Sequence, residues 1–331
     1  MQAQVLRYSA PWPKGLEEKQ DRSATAGGFP NLFFPCRIVT ALRKSCSDTI
    51  ARRIASTTLE KIEGHRTQLF QNSSFSQVEI ETADGATIYA AFAQGSVRKV
   101  ILFAPGLNDC YEMLNDEKSV PQRFFKVFRE MLGDISIMVV NRRGMGQKNS
   151  TLPTAKGLAI DVYSAAHYLI EKQQFTCEDL LIYGHSFGGM YAAQGTALLQ
   201  KDFPKTTIPF VADRSFLSLP QVVEERLGGG IKGKIAKLFI TFAQWDMTSL
   251  GDLTTIRGKK IIIFTRLDET VPYTASIHKL TEKLNIDNMI PFEMSEDKLS
   301  DWHHIREFTS DEKYRLGGLL KESLHMENTV L

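Results

Sequence analysis

Asp179-Leu-Leu-Ile-Tyr-Gly-His-Ser-Phe-Gly-Gly-Met-Tyr-Ala-Ala193 is the stretch from which the fold is read. Leu180 to Tyr183 is a short apolar run of the kind that fills a fully buried strand. It breaks at Gly184-His185-Ser186-Phe187-Gly188-Gly189, and a helix-forming run resumes through Leu199. Glycines two residues before and two residues after Ser186 complete a G-x-S-x-G pattern, with the strand ahead of it and the helix behind that the pattern requires. This predicts a sharp turn in which the serine backbone is strained and the glycines let strand and helix pass closely. The hydroxyl then stands at a helix N-terminus, where free N–H groups and the helix dipole favour a developing anion. Five matching residues alone could be a chance glycine-rich turn. The flanking elements and the adjacent Gly189 distinguish this one.

The segments on either side extend the pattern. Val78 to Thr82 and Thr87 to Phe92 flank Asp84-Gly85 and predict a hairpin. Strands are expected at Lys99 to Ala104, Asp134 to Asn141, Ile208 to Ala212 and Lys259 to Thr265, and a last short one at Met289 to Met294. Helices are expected at Val120 to Leu132, Ala155 to Lys172, Thr274 to Leu284 and Ser310 to Leu324. The alternation, with apolar middles in the central strands, predicts an α/β fold: a mostly parallel, doubly wound sheet covered on both faces. Residues 221–257 interrupt it. They are longer than a crossover helix needs, contain Gly228-Gly-Gly230, and read either as a small helical cap or as one long crossover helix with a loop.

These features resemble the α/β-hydrolase superfamily, in its lipase- and esterase-like bacterial branch, over roughly residues 75 to 325. The resemblance implies a serine nucleophile, an acid and a histidine base in that chain order. The acid is Asp268 in Phe264-Thr-Arg-Leu-Asp-Glu-Thr-Val-Pro272, directly after a strong strand and favoured over its neighbour Glu269; Asp213 is the alternative, as a displaced acid. Of seven histidines, His65, His167, His185, His278 and His325 fall on helical patterns, in the turn or near the tail. His303 and His304 remain, at the family's position for the base. His303 is favoured because that base usually opens the turn, with His304 as the alternative. The oxyanion donors implied are the backbone N–H groups of Phe187 and Leu107. Pro105-Gly106 stands where the family more often has His-Gly. Asn141-Arg-Arg-Gly-Met-Gly146 resembles the family's Arg-Gly-x-Gly turn behind the site, and Asp213-Arg-Ser-Phe216 its loop near the nucleophile. An insertion at 221–257 often forms a cap in this family.

The implied reaction is hydrolysis of a carboxylic ester or thioester, with a lipid or other acyl substrate, through an acyl-enzyme on Ser186. A peptidase or acyltransferase would use the same groups, and a non-catalytic scaffold that binds a ligand or protein is the reading from a different class. No cofactor and no metal is called for.

Composition sets bounds on this. Of 331 residues, 43% are hydrophobic and 24% charged, enough for a sizeable core. A net charge of +2 gives no case for a nucleic-acid partner. Cys36, Cys46, Cys110 and Cys177 show no metal or redox spacing and read as free thiols in a reducing compartment. No run approaches the ~18 apolar residues of a membrane span, and no signal peptide is visible. The expected location is the cytoplasm, or another cytosol reached without a signal peptide; hydrolases of this kind occur among proteins that intracellular bacteria deliver into host cells.

Residues 1–74 read as an N-terminal extension to a hydrolase domain at 75–331. The first 30 or so, rich in Pro, Gly, Ser and charge, are expected to lack regular structure or to wrap the surface. From Ile38 to Ile62, apolar residues at Ile38, Leu42, Cys46, Ile50 and Ile54 recur every four residues, with Arg43, Lys44, Arg52 and Arg53 among them. That predicts an amphipathic helix over about 38–62, either docked on the main domain or making peripheral contact with a membrane or binding a partner.

Overall fold

The computed structural model describes residues 6–14, 16, 34–55, 59–72, 74–145, 151–296 and 302–326. In chain order, strand β1 (Leu6–Ser9) is followed by helices α1 (Phe34–Ala55) and α2 (Leu59–Asn72) and the hairpin β2 (Phe75–Glu81) and β3 (Thr87–Ala93). Then come β4 (Val97–Ala104), α3 (Val120–Leu132), β5 (Ile135–Val140), α4 (Ala155–Glu171), β6 (Leu180–His185), α5 (Phe187–Asp202) and β7 (Phe210–Asp213). Three helices, α6 (Leu219–Arg226), α7 (Ile231–Phe242) and α8 (Leu250–Thr255), precede β8 (Lys260–Phe264). The chain closes with α9 (Ile277–Thr281), β9 (Met289–Glu293) and α10 (Ser310–Ser323).

Among the described residues the strands form one nine-stranded sheet in the order β1-β2-β3-β5-β4-β6-β7-β8-β9. The pairings β2–β3 and β3–β5 are antiparallel and the rest parallel. The mostly parallel α/β architecture expected from the sequence is therefore present. Side chains alternate across it. Leu180 and Ile182 of β6 join a core with α1, α4 and α5, whereas Leu181 and Tyr183 join the opposite core with α3 and α10. Each buried strand supplies both layers, which is why the central strands read as continuous apolar runs.

Local chemistry sets the element ends. In α3 the Ser119 hydroxyl accepts the Gln122 N–H at the N-terminus, Pro121 fills the first turn, and Gly133 at φ 75° ends the helix. The expected helix over 274–284 is shorter, a 3₁₀ turn at Tyr273–Ala275 followed by α9. Between β7 and β8 stand three helices rather than one long crossover: α8 packs on α5, while α6 and α7 form a hairpin.

The N-terminal region departs from expectation. Leu6–Ser9 is not irregular; β1 pairs in parallel with β2, Leu6 opposite Val78, and extends the sheet. Residues 1–5 and 17–33 lie outside the described residues. The single helix expected over 38–62 is instead α1 and α2, with 56–58 outside the description. The two helices serve opposite faces: Ala51 and Ile54 of α1 enter one core and Leu69 of α2 the other. The apolar stripe of α1 therefore changes character along its length, since Leu42 is exposed, Ile50 half-buried and Ile54 buried. Trp245, which follows α7, is fully buried and donates its indole N–H to the Ser47 hydroxyl of α1 at 3.0 Å.

The loop from β9 to α10 is clamped by one buried ion pair. Arg306 Nη1 and Nη2 reach Glu312 Oε2 and Oε1 at 2.8 and 2.7 Å. The same carboxylate accepts the Ser295 and Thr309 backbone N–H groups. Burial raises the carboxyl pKa, but Arg306 and these N–H donors outweigh it and bring it from 4.5 down to about 2.

Two outcomes follow for stability. Ile54→Asp places an unpaired charge in the core and should cost about 3 kcal/mol or more, read as a lowered melting temperature. Glu312→Gln should cost about 2–3 kcal/mol in urea unfolding at neutral pH. Because the folded pKa is the depressed one, that difference is fully present above pH 4.5 and should shrink as the pH falls towards 2.

Candidate active site

Ser186 occupies the turn between β6 and α5 with φ 55° and ψ −125°, a left-handed conformation unusual for a residue with a side chain. Two close approaches demand glycine. A Cβ at Gly184 would stand 2.5 Å from the Gly189 Cα, and one at Gly188 would run into the Ala104 carbonyl oxygen at the end of β4. The turn is tied to β7, because Ser186 N–H donates to the Asp213 carbonyl at 2.8 Å.

The Ser186 hydroxyl faces the Nε2 of His304 at 2.8 Å, and the Nδ1 of the same ring faces Asp268 Oδ2 at 2.8 Å. His304, not His303, spans the serine and the carboxylate, which corrects the preference drawn from the family's usual placement. The His303 ring is also buried, but its Nδ1 has no hydrogen-bond partner among the described residues, while its carbonyl accepts from Arg214. Asp268 is held by its other oxygen, Oδ1, which accepts the Thr270 and Val271 N–H groups at 2.8 and 2.7 Å. Glu269 has a different partner: its carboxylate accepts the backbone N–H of His304. Asp213 is also engaged elsewhere. Its oxygens take the Arg214 guanidinium at 2.8 and 2.9 Å and the Tyr183 hydroxyl at 2.9 Å, all deeply buried.

Three residues that the sequence placed in quoted stretches without giving them roles of their own position this group. Arg214, also in a left-handed backbone conformation at φ 46°, sends Nη1 to the carbonyls of His303 and Arg306 at 3.2 and 2.8 Å. It thereby pins both sides of His304. The His185 ring donates from Nε2 to the His304 carbonyl at 3.2 Å. Burial, with the neighbouring Arg214 guanidinium behind it, holds the His185 pKa well below 6.5, so the ring stays neutral.

The third is Arg142, buried behind the loop that follows β4. It donates to the Gly106 carbonyl at 3.0 Å, to the Leu107 carbonyl, and to the Ile54 carbonyl of α1 at 2.9 Å. Gly106 brings this loop against the turn, since a Cβ there would stand 3.5 Å from the Ser186 Cβ and 2.9 Å from Asp109 Oδ2. Burial raises the Asp109 carboxyl pKa, with Arg142, His304 and Arg123 opposing. A trans peptide directs its C=O and N–H to opposite sides, so fixing the Gly106 carbonyl on Arg142 turns the Leu107 N–H away from it. Phe187 is the first residue of α5, and its N–H has no intrahelical acceptor.

Arg143 is engaged behind the site. It bridges Asp161 at 2.8 Å and Asp84 at 2.7 and 2.9 Å, so the turn at 141–145 is anchored to α4 and to the β2–β3 hairpin. Gly146 lies outside the described residues. The assembled geometry is a hydroxyl, an imidazole and a carboxylate in one hydrogen-bonded line, with backbone N–H groups at a helix start beside it.

The fold recurs in solved structures. An α/β hydrolase from Vibrio vulnificus superposes with a TM-score of 0.58 at 18% identity, covering 91% of this chain and 98% of that one. The Pyrococcus furiosus esterase Pf2001 gives 0.55 at 14%, covering 81% and 95%. Est1E from Butyrivibrio proteoclasticus, solved with ferulic acid bound, gives 0.53 at 13%, covering 73% and 97%. No curated protein matches the chain. The model of the family described as Chlamydia CHLPS protein (DUF818) matches residues 30–278, a span that includes Ser186 and Asp268 and ends before His304. The chain is a member of this CHLPS family, and its fold is that of the α/β-hydrolases.

Proposed function

We propose that the protein is a serine hydrolase that cleaves a carboxylic ester or thioester through an acyl-enzyme on Ser186. The observation that carries this is the continuous line Asp268–His304–Ser186, with both imidazole nitrogens engaged at 2.8 Å. A serine hydroxyl is barely acidic, so it attacks only when a base removes its proton, and the carboxylate fixes the tautomer that leaves Nε2 free to do so.

In the first half-reaction His304 Nε2 takes the Ser186 proton as Oγ bonds to the substrate carbonyl carbon. The negative charge that develops on the carbonyl oxygen meets the N–H groups of Phe187 and Leu107. Donors preset for that oxygen typically contribute about 10²–10³ each in turnover. The tetrahedral intermediate collapses, the bond to the alcohol or thiol breaks, and His304 returns the proton to the leaving group. In the second half a water gives its proton to His304 as it attacks the acyl carbon; the bond between that carbon and Ser186 Oγ then breaks, His304 returns the proton to Oγ, and the acid is released. Asp268 stays ionised and stabilises the imidazolium in both halves. The exposed apolar side chains of α7 favour a lipid or other acyl ester among the substrates that this machinery could take.

Ser186→Ala, Asp268→Asn and His304→Ala should each lower esterase turnover by about 10³-fold or more, with folding intact, whereas His303→Ala should retain most of it. The assay is hydrolysis of p-nitrophenyl esters from acetate to palmitate, alongside labelling by a fluorophosphonate probe. A folded wild-type protein whose Ser186 is not labelled would mean that the fold binds rather than cleaves. Loss on His303→Ala with retention on His304→Ala would overturn the assignment of the base.

A further inference from the structure

Helix α7 is built the wrong way round for a helix of a soluble domain. Ile231, Ile235, Leu238 and Phe242 recur at spacings that place them on one side, with Phe239 beside them. That side faces outward: Ile231 is 79% exposed, Leu238 69% and Ile235 61%. The helix packs inward through small or single residues instead. Gly233 is buried, and a Cβ there would stand 2.6 Å from the Glu224 carbonyl of α6; Ile240 is the other buried position. This close approach fixes the orientation of α7 and so keeps its larger apolar residues in solvent. The surface continues onto α1, where Arg43 lies over the Phe242 ring at 5.4 Å and Val39 and Leu42 are exposed.

The charges that α7 itself carries have one sign. Between residues 226 and 245 the chain carries no Asp or Glu. Lys237 is paired with Glu224 at 2.7 Å, whereas Lys232 and Lys234, both exposed, make no ion pair among the described residues. We infer that the exposed face of α7, extended by Val39, Leu42 and Arg43 of α1, docks on an anionic lipid bilayer. The apolar side chains enter the boundary between headgroups and acyl chains, and the lysine stems run along them to place their ammonium groups among the phosphates. Contiguous exposed apolar side chains of this size mark interaction sites. A second copy of the chain is a poorer occupant, since pairing two such faces would bring Lys232 and Lys234 against their own kind. The helix is too short to span a bilayer, and no described helix is long and apolar enough to cross one.

Docking does not depend on hydrolysis, so it is measured on the full chain and on Ser186→Ala, which separates it from the reading of the active site. Co-sedimentation with phosphatidylcholine vesicles containing phosphatidylserine should show binding that weakens with salt, and much less binding to phosphatidylcholine alone. The double variant Ile235→Asp/Leu238→Asp should melt at the wild-type temperature, because both positions are exposed, and should lose vesicle binding. The double variant Lys232→Glu/Lys234→Glu should lose about tenfold or more, with its fold unchanged. Absence of wild-type binding to the anionic vesicles, or equal binding by both variants, would overturn the inference. So would a wild-type dimer that Ile235→Asp/Leu238→Asp dissociates, because the face would then be covered by a second copy.

Discussion

The structure depends on how closely β6 and α5 approach each other at Ser186. The backbone there is left-handed, a conformation that costs a residue with a side chain on the order of 1–3 kcal/mol. It persists because its surroundings leave no alternative. Gly184 and Gly188 have no room for a Cβ, and the Ser186 N–H is bonded across to the Asp213 carbonyl at the end of β7. Parallel pairing of β4, β6 and β7 delivers all of these groups to the same edge of the sheet, the edge from which the loops that complete the site emerge.

From that edge, buried guanidinium groups extend the constraint to chain segments far away in sequence. Arg214 is neutralised by Asp213 and holds the carbonyls on either side of His304. Arg142 holds the loop after β4 through two carbonyls and also reaches α1. Buried ion pairs are weak evidence for stability, because desolvation offsets much of their attraction. Their contribution here is geometric: a planar fork of donors fixes several carbonyl directions at once, and a carbonyl direction fixes where the adjoining N–H points. The Ile54 carbonyl is one acceptor of Arg142, which joins the N-terminal helix to the loop beside Ser186.

The insertion between β7 and β8 divides into two parts with different physics. The α8 helix packs on α5 and performs the ordinary crossover. The α6–α7 hairpin spends its small residues on the internal contact and turns its large apolar residues outward, an arrangement costly for solubility and hence informative. Trp245, buried against α1, ties this hairpin to the N-terminal region, so the two elements with exposed apolar surface belong to one packed unit.

Much of this was legible in the residues. The strand–turn–helix around Ser186, the alternation of strands and helices, and the position of Asp268 after a buried strand all rest on local patterns whose signal lies within a few residues. Glycine spacing and apolar periodicity report directly on backbone sterics and burial. The choice between His303 and His304 was different, because neighbours in an irregular loop share composition, exposure and distance from the serine, and no period separates them. Contacts across the fold orient the two rings, with Arg214 just after β7 and His185 from β6 gripping the loop carbonyls so that the second ring, not the first, faces Ser186. Strand β1 was missed for the same reason: four residues carry too little periodicity, and the edge of β2 that orders them lies about seventy residues further along the chain. Sequence determined the elements and the chemistry available in them. Which neighbouring side chain turns inward, and which short segment finds a partner, was decided by hydrogen bonds between segments that only folding brings together.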